Sequence, residues 1–288
     1  MLNGLLDPNH TGTRANLHRA VQQSSAAPIA TTQNEDPMKL RRSVTQLVAT
    51  MACTTLSQAA MAHESPHSGG IQTKTTAAVK APYDIVHTKI TSEGNQAVFH
   101  MHVSGKAGAN KPTKTGKLAG STVFSYVWPT SLDSSLVGFE PKAGILAFAV
   151  TSHPDFDDTP LFDENGDGNP GNDGGLWHSH WVVLQPDEVC GKGALKVVDI
   201  PEGAKPKLPK TWPGLPLLID SPGWTPLFKG GTVQVKVPFD DIGAVNTAGF
   251  DGVTAALRVN ASLHNPLLCV VNVFKVASGD LSLPGKVK

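Results

Sequence analysis

From Tyr83 onward, short β-branched and aromatic stretches alternate with clusters of glycine, proline, asparagine and aspartate, which is how all-β chains punctuate their strands. The pattern predicts strands near 83–90, 96–104, 120–128, 144–151, 176–184, 194–199, 232–238, 253–263 and 267–277. Ser92-Glu93-Gly94-Asn95 reads as the hairpin turn between the first two. The stretch 201–226 reads as a long connection, because each proline lacks an N–H and biases the residue before it towards extended backbone. No amphipathic helix of more than a couple of turns is evident. Together these features predict an all-β domain over 83–288, a single antiparallel β-sandwich (Ig-like or Greek-key) with long Asp/Gly-rich and Pro-rich loops. Barrel closure is the alternative.

The strand period gives the histidines a geometry. In Ala97-Val98-Phe99-His100-Met101-His102-Val103 side chains alternate, so His100 and His102 share one face while Phe99 and Met101 share the other. Trp177-His178-Ser179-His180-Trp181 repeats the arrangement with His178 and His180. Same-face neighbours on a strand lie about 6–7 Å apart, a span that one metal ion or two adjacent ions can bridge. Imidazoles favour copper or zinc over magnesium or calcium, so the expectation is that the two pairs meet around one such ion. His153 and His63 are candidate further ligands, as are His87 and His264.

Between His153 and the second pair lies the densest acidic stretch, 155–175. Within it Asp163-X-Asn165-X-Asp167-Gly168 places oxygen donors at positions 1, 3 and 5 of a loop, with a glycine at 6 for the tight turn, which predicts a bound calcium. Asn169, Asp173, Asp157 and Asp158 are available to complete the shell. Over about a dozen residues this resembles the calcium loops of EF-hands and dockerin modules, although position 12 is Gly174 instead of a bidentate acid. If calcium stiffens this loop, it also orders the strand that carries His178 and His180.

Composition narrows the class of partner. The chain has 288 residues, 40% hydrophobic and 17% charged, with 24 basic against 24 acidic side chains. It can bury a sizeable core, and it lacks the cationic excess that would attract nucleic acid. The segment 38–62 has a basic start (Lys39, Arg41, Arg42), an apolar stretch from Val44 to Leu56 and small residues at Ala60 and Ala62. It reads as a secretory signal peptide cut after Ala62, too short and too interrupted to anchor the chain in a membrane. Residues 1–37 read as a disordered extension or a mis-assigned start, and 63–82 as a flexible arm. Export to the periplasm or the exterior would leave Cys190 and Cys269 as the two remaining cysteines, for which a disulfide is the default.

Cleavage after Ala62 would make His63 the N-terminal residue, with amine and imidazole able to chelate one ion. This is similar to the histidine brace of lytic polysaccharide monooxygenases and of some periplasmic copper carriers. Phe99-His100-Met101-His102 resembles the copper strand of copper-zinc superoxide dismutases, so a copper-dependent secreted oxidoreductase is one alternative. Another is a calcium-stabilised carbohydrate-binding module, with glycans as partners of an exposed row among Trp128, Trp177, Trp181, Trp212 and Trp224. The chain holds no Gly-X-Ser-X-Gly elbow, no His-Glu-X-X-His and no phosphate-binding glycine loop, and it reads more as a binder of metal ions than as an enzyme.

Overall fold

The computed structural model describes residues 69–260 and 266–288. Its strands run in chain order as β1 (Ile71–Gln72), β2 (Ile85–Glu93), β3 (Gln96–Val103), β4 (Thr122–Pro129) and β5 (Ile145–Ser152). They continue as β6 (His178–Pro186), β7 (Leu195–Val197), β8 (Ile219–Asp220), β9 (Leu227–Lys229) and β10 (Thr232–Pro238). The single α-helix among the described residues, α1 (Ile242–Asn246), precedes β11 (Gly249–Phe250), β12 (Val253–Val259), β13 (Leu268–Val276) and β14 (Gly285–Lys286). The nine predicted strands are β2 to β7, β10, β12 and β13. The remaining five have two or three residues each, too short to leave a periodicity.

The architecture is all-β and antiparallel, but the sandwich expectation is corrected. Strands β5-β4-β12-β13-β7-β6 form one sheet, and β6 returns to pair with β5 from Ile145↔Leu184 to Thr151↔His178, so six strands close into a barrel. Strand β8 hangs on β6, β11 pairs with β14, and β1-β2-β3-β10-β9 form a separate open sheet laid against the barrel. Closure removes the edges that an open sheet of this size would expose.

The reason for closure is visible in the barrel strands. On β4, Val123 and Val127 face the lumen, while Phe124, Tyr126 and Trp128 face outwards, towards the open sheet. Strand β5 alternates Ala147 and Ala149 inwards with Phe148 and Val150 outwards, and β6 alternates Val182 and Leu184 with Trp181 and Val183. Aliphatic side chains thus line a narrow interior, and aromatic ones fill the wider layer between barrel and sheet. Strands with two buried faces need apolar residues at nearly every position, whereas β3 and β10 of the open sheet keep one polar face.

Phe99 of β3 is the centre of that aromatic layer. Its ring lies 4.6 Å from Phe148, 5.7 Å from Trp181 and 5.8 Å from Trp128, all fully buried. The stretch 69–82, expected to belong to a flexible arm, is tied down in the structure. Ile71 and Gln72 pair with Thr88 and His87 of β2, and the backbone N–H of Thr76 donates to the buried carboxylate of Asp84. Lys275 meets the same carboxylate at 2.6 Å and donates to the carbonyl of Lys74. Cys190 and Cys269 form the expected disulfide, tying the loop before β7 to β13. Residues 1–68, which include the segment 38–62 read as a signal peptide and His63, lie outside the described residues, as does His264. No helix among the described residues is long and apolar enough to cross a membrane.

Phe99→Ala should cost about 3–5 kcal/mol, because it empties a ring-sized space against three aromatic neighbours. Chemical denaturation of this variant beside His102→Ala, which changes only the polar face of β3, checks the assignment. Equal stability of the two would contradict it.

Candidate metal centre

His178 and His180 have the same parity on β6 as Val182 and Leu184, so closure of the barrel turns both imidazoles into its interior. Their register partners across the seam are Thr151 and Ala149 of β5. Where β5 ends, the chain turns at His153 and runs into the loop that carries Asp158. Gly174 makes that turn feasible. The His153 N–H donates to the Gly174 carbonyl at 2.9 Å, and a Cβ on Gly174 would stand 1.8 Å from the Phe156 carbonyl oxygen. The same crowding explains why position 12 of the Asp-rich loop has no acid.

The outcome is a buried quartet of His153, Asp158, His178 and His180, whose ligating atoms all lie within 4.8 Å of one another. His153 Nε2 is 2.7 Å from His178 Nε2. Asp158 Oδ1 lies 2.9 Å from His153 Nε2, 3.4 Å from His178 Nε2 and 3.7 Å from His180 Nε2. Four ligands of a tetrahedral ion with bonds of about 2.0–2.1 Å stand about 3.3 Å apart, so the observed spacings bracket those of a bound metal.

The far sides of the His153 and His180 rings show how their Nε2 atoms can serve as lone-pair donors. His153 Nδ1 is 2.8 Å from the Phe156 carbonyl, which accepts only, so Nδ1 carries the proton. His180 Nδ1 is 3.1 Å from Ser221 Oγ, and the one Ser221 hydroxyl proton goes to the Asp158 carbonyl at 2.9 Å. Ser221 Oγ therefore accepts from His180 Nδ1–H. In both rings a proton sits behind on Nδ1, so the neutral form of each turns its Nε2 lone pair to the centre, the tautomer that a metal ligand requires. Ser221 in addition couples the orientation of His180 to the backbone of Asp158.

The electrostatics follow from burial. All four side chains are at most 4% exposed. Burial pushes the His180 pKa down to about 3, and burial with the neighbouring His153 charge lowers that of His178. Burial opposes charge on His153 too, but the adjacent Asp158 carboxylate outweighs it and raises the pKa. Burial likewise works against the Asp158 anion, yet the charges of His180 and His153 hold its pKa well below the usual carboxylate range. The chamber thus holds an anion, one imidazole whose charged form Asp158 favours, and two imidazoles whose neutral forms burial favours.

His100 and His102 are not part of this centre. Their strand belongs to the open sheet, and its inward face is occupied by Phe99 and Met101 packed on the barrel, so both imidazoles project from the opposite face. There His102 Nδ1 meets Thr232 Oγ1 at 3.0 Å, and the His100 ring lies 5.8 Å from that of His87. The aromatic layer separates the two His-X-His pairs. Asp158, first considered as a calcium ligand, instead completes the imidazole set. No local motif marks it, because a fold of the loop brings it there.

Within the Asp-rich loop, the Asp163 carboxylate accepts the N–H groups of Gly166, Asp167 and Gly168 at 2.6–3.1 Å. Asn165 Oδ1 accepts from Asp167 N–H, Asp167 Oδ1 from Asn169 N–H, and Asn169 Oδ1 from Gly171 N–H. Asp173 is fully buried, and one of its oxygens accepts from the Glu164 N–H. Burial, with the Asp173 charge beside it, lifts the Glu164 pKa to about 7. Among the described residues, only the His153 quartet brings three or more ligating side chains within 4.8 Å of one another. Trp128 and Trp181 are fully buried, Trp177 is 9% exposed, and Trp212 and Trp224 are half-buried, so none of the five is an exposed platform.

No protein-family model matches this chain, and neither a curated protein nor a solved structure shows significant similarity to it. The functional reading accordingly rests on the chain's own chemistry.

Acidification should destabilise the metal-free protein. A histidine whose folded pKa lies below its unfolded value of about 6.5 contributes stability that is complete above that pH and lost as pH falls towards the folded value. His178 and His180 both have this sign, so urea midpoints should decline from about pH 6.5 towards pH 3. His153 has the opposite sign, and its contribution fades only as pH rises. A flat profile over that window would contradict the burial of neutral imidazoles.

Proposed function

We propose that this chain is an exported metal-binding protein that holds one divalent copper or zinc ion with His153, His178, His180 and Asp158. The observation that carries this reading is the orientation of the quartet: imidazole Nε2 atoms and a carboxylate oxygen converge at a buried point, with the Nδ1 protons of His153 and His180 engaged behind. Two lone pairs at 2.7 Å repel unless a proton or a metal ion lies between them. A metal ion supplies positive charge there and balances Asp158. Three imidazoles and one carboxylate suit zinc or Cu(II) better than calcium or magnesium. For export, the support is the basic, apolar and small-residue order of 38–62, together with a disulfide in the domain that follows.

Calcium at the Asp163, Asn165 and Asp167 loop is a second reading, favoured by a separate observation. Asp163 gathers three backbone N–H groups into a tight turn, and beneath it Glu164 Oε1 and Asp173 Oδ1 are buried without a protein hydrogen bond. Hard oxygens left in this state suit a hard cation.

Elemental analysis of protein dialysed against copper or zinc should find one ion per chain. His178→Ala with His180→Ala should abolish uptake, and His100→Ala with His102→Ala should leave it intact. Ser221→Ala should weaken affinity about 10- to 100-fold by releasing His180. Retention of the ion by the His178/His180 variant would sink the assignment. For the loop, calcium should raise the thermal midpoint of the native chain but not of Asp163→Ala, and an equal response would remove the second reading.

A further inference from the structure

The barrel interior is not filled by its own side chains. It encloses a cavity of about 340 Å³, walled by aliphatic residues such as Val127, Ala255, Leu257, Leu217 and Ile219. Ser125 on this wall is internally satisfied, its hydroxyl donating to the Ala255 carbonyl. The chemically active groups of the wall are gathered at one end, where His153, Asp158 and His180 border the cavity. The lumen is therefore an apolar chamber whose floor is the metal centre.

A gap in the barrel marks the way in. Strand β13 meets β7 through the single pair Cys269↔Lys196, and beyond it Val271 and Val273 are exposed at 40% and 48% on the cavity's margin, beside Lys192. Lys196 also pairs with Gln185, five residues along β6 from His180, so mouth and floor are on the order of 16 Å apart along the strand.

We propose that this lumen binds an aliphatic monocarboxylate, its chain in the apolar chamber and its carboxylate on the metal; the proposal rests on the metal reading above. The head group follows from charge. A divalent ion with Asp158 as its one anionic ligand leaves a net positive charge at the end of a low-dielectric chamber, and one further anion neutralises it. The tail follows from the walls, which are lined mostly by Val, Leu, Ile and Ala, with Lys192 and Asn272 among the few polar side chains away from the metal centre. A chamber of this volume and lining falls in the range of small-molecule sites, and the metal fixes which end of the ligand goes in first.

Calorimetric titration of the full chain, loaded with zinc and with its metal content measured in the same sample, tests the proposal with acetate, hexanoate, octanoate and decanoate. Affinity should rise about fourfold per added methylene until the lumen is full, and fall steeply when the metal is removed. Ala255→Leu, which narrows the lumen at a residue that is no ligand of the metal, should lose the longer acids while keeping its zinc and its response to acetate. Should that variant not fold, the chain-length series on the native protein decides alone. Loaded protein that binds decanoate no tighter than acetate overturns the proposal and leaves the metal assignment standing. Protein that takes up no zinc in the same dialysis overturns both.

Discussion

Strands β4, β5, β6 and β12 of the barrel must bury both of their faces, and the rest of the molecule follows from how that requirement is met. One face is covered by closing the sheet on itself through β5 and β6. The other is covered by the open sheet, whose Phe99 and Met101 sit against Trp128, Phe148 and Trp181. Because side chains alternate, the outward demand for bulk and the inward demand for small aliphatic groups are met by neighbouring residues on the same strand. A closed lumen of modest size, lined by Val, Leu, Ile and Ala, is the direct result.

Placing His178 and His180 on the lumen side of β6 converts an ordinary His-X-His strand into a low-dielectric ligand set. Burial favours the neutral forms of these two rings. Direction is enforced by partners behind them, Phe156 for His153 and Ser221 for His180. Asp158 then contributes the one fixed negative charge. Its backbone carbonyl and its carboxylate both participate, the first through Ser221 and the second directly at the centre. The loop that delivers Asp158 is in turn positioned by Gly174, where the backbones of two segments come too close for any side chain. The buried His/Asp quartet and the apolar cavity are thus two consequences of one closure. The same walls that bury the imidazoles also leave room above them.

Much of this was legible along the chain. Strands of seven or more residues announce themselves through β-branched and aromatic runs between turn residues, and β7 does so between its flanking glycines and prolines. The pairing of Cys190 with Cys269 was expected because they are the two cysteines that lie beyond the segment read as a signal peptide. His178 and His180 were identifiable as a same-face pair because strand alternation is a local rule. His100 and His102 obeyed the same rule equally well, and nothing local separates the two pairs. What separates them is which face of each strand the aromatic layer occupies, a matter of contacts between β3, β4, β5 and β6 that are distant in sequence.

By itself, then, the amino-acid order determined an all-β chain, its principal strands, the parity of each histidine and the Asp-rich turn, since all of these depend on neighbours within a few residues. Only the tertiary structure decided between sandwich and barrel, brought His153 and Asp158 to the β6 pair, set His100 and His102 on the far side of the aromatic layer, and hollowed the lumen. The physical reason is that ring closure and ligand convergence are set by pairing across long sequence separations. There the free energy comes from burying two faces at once, which no short window of residues records.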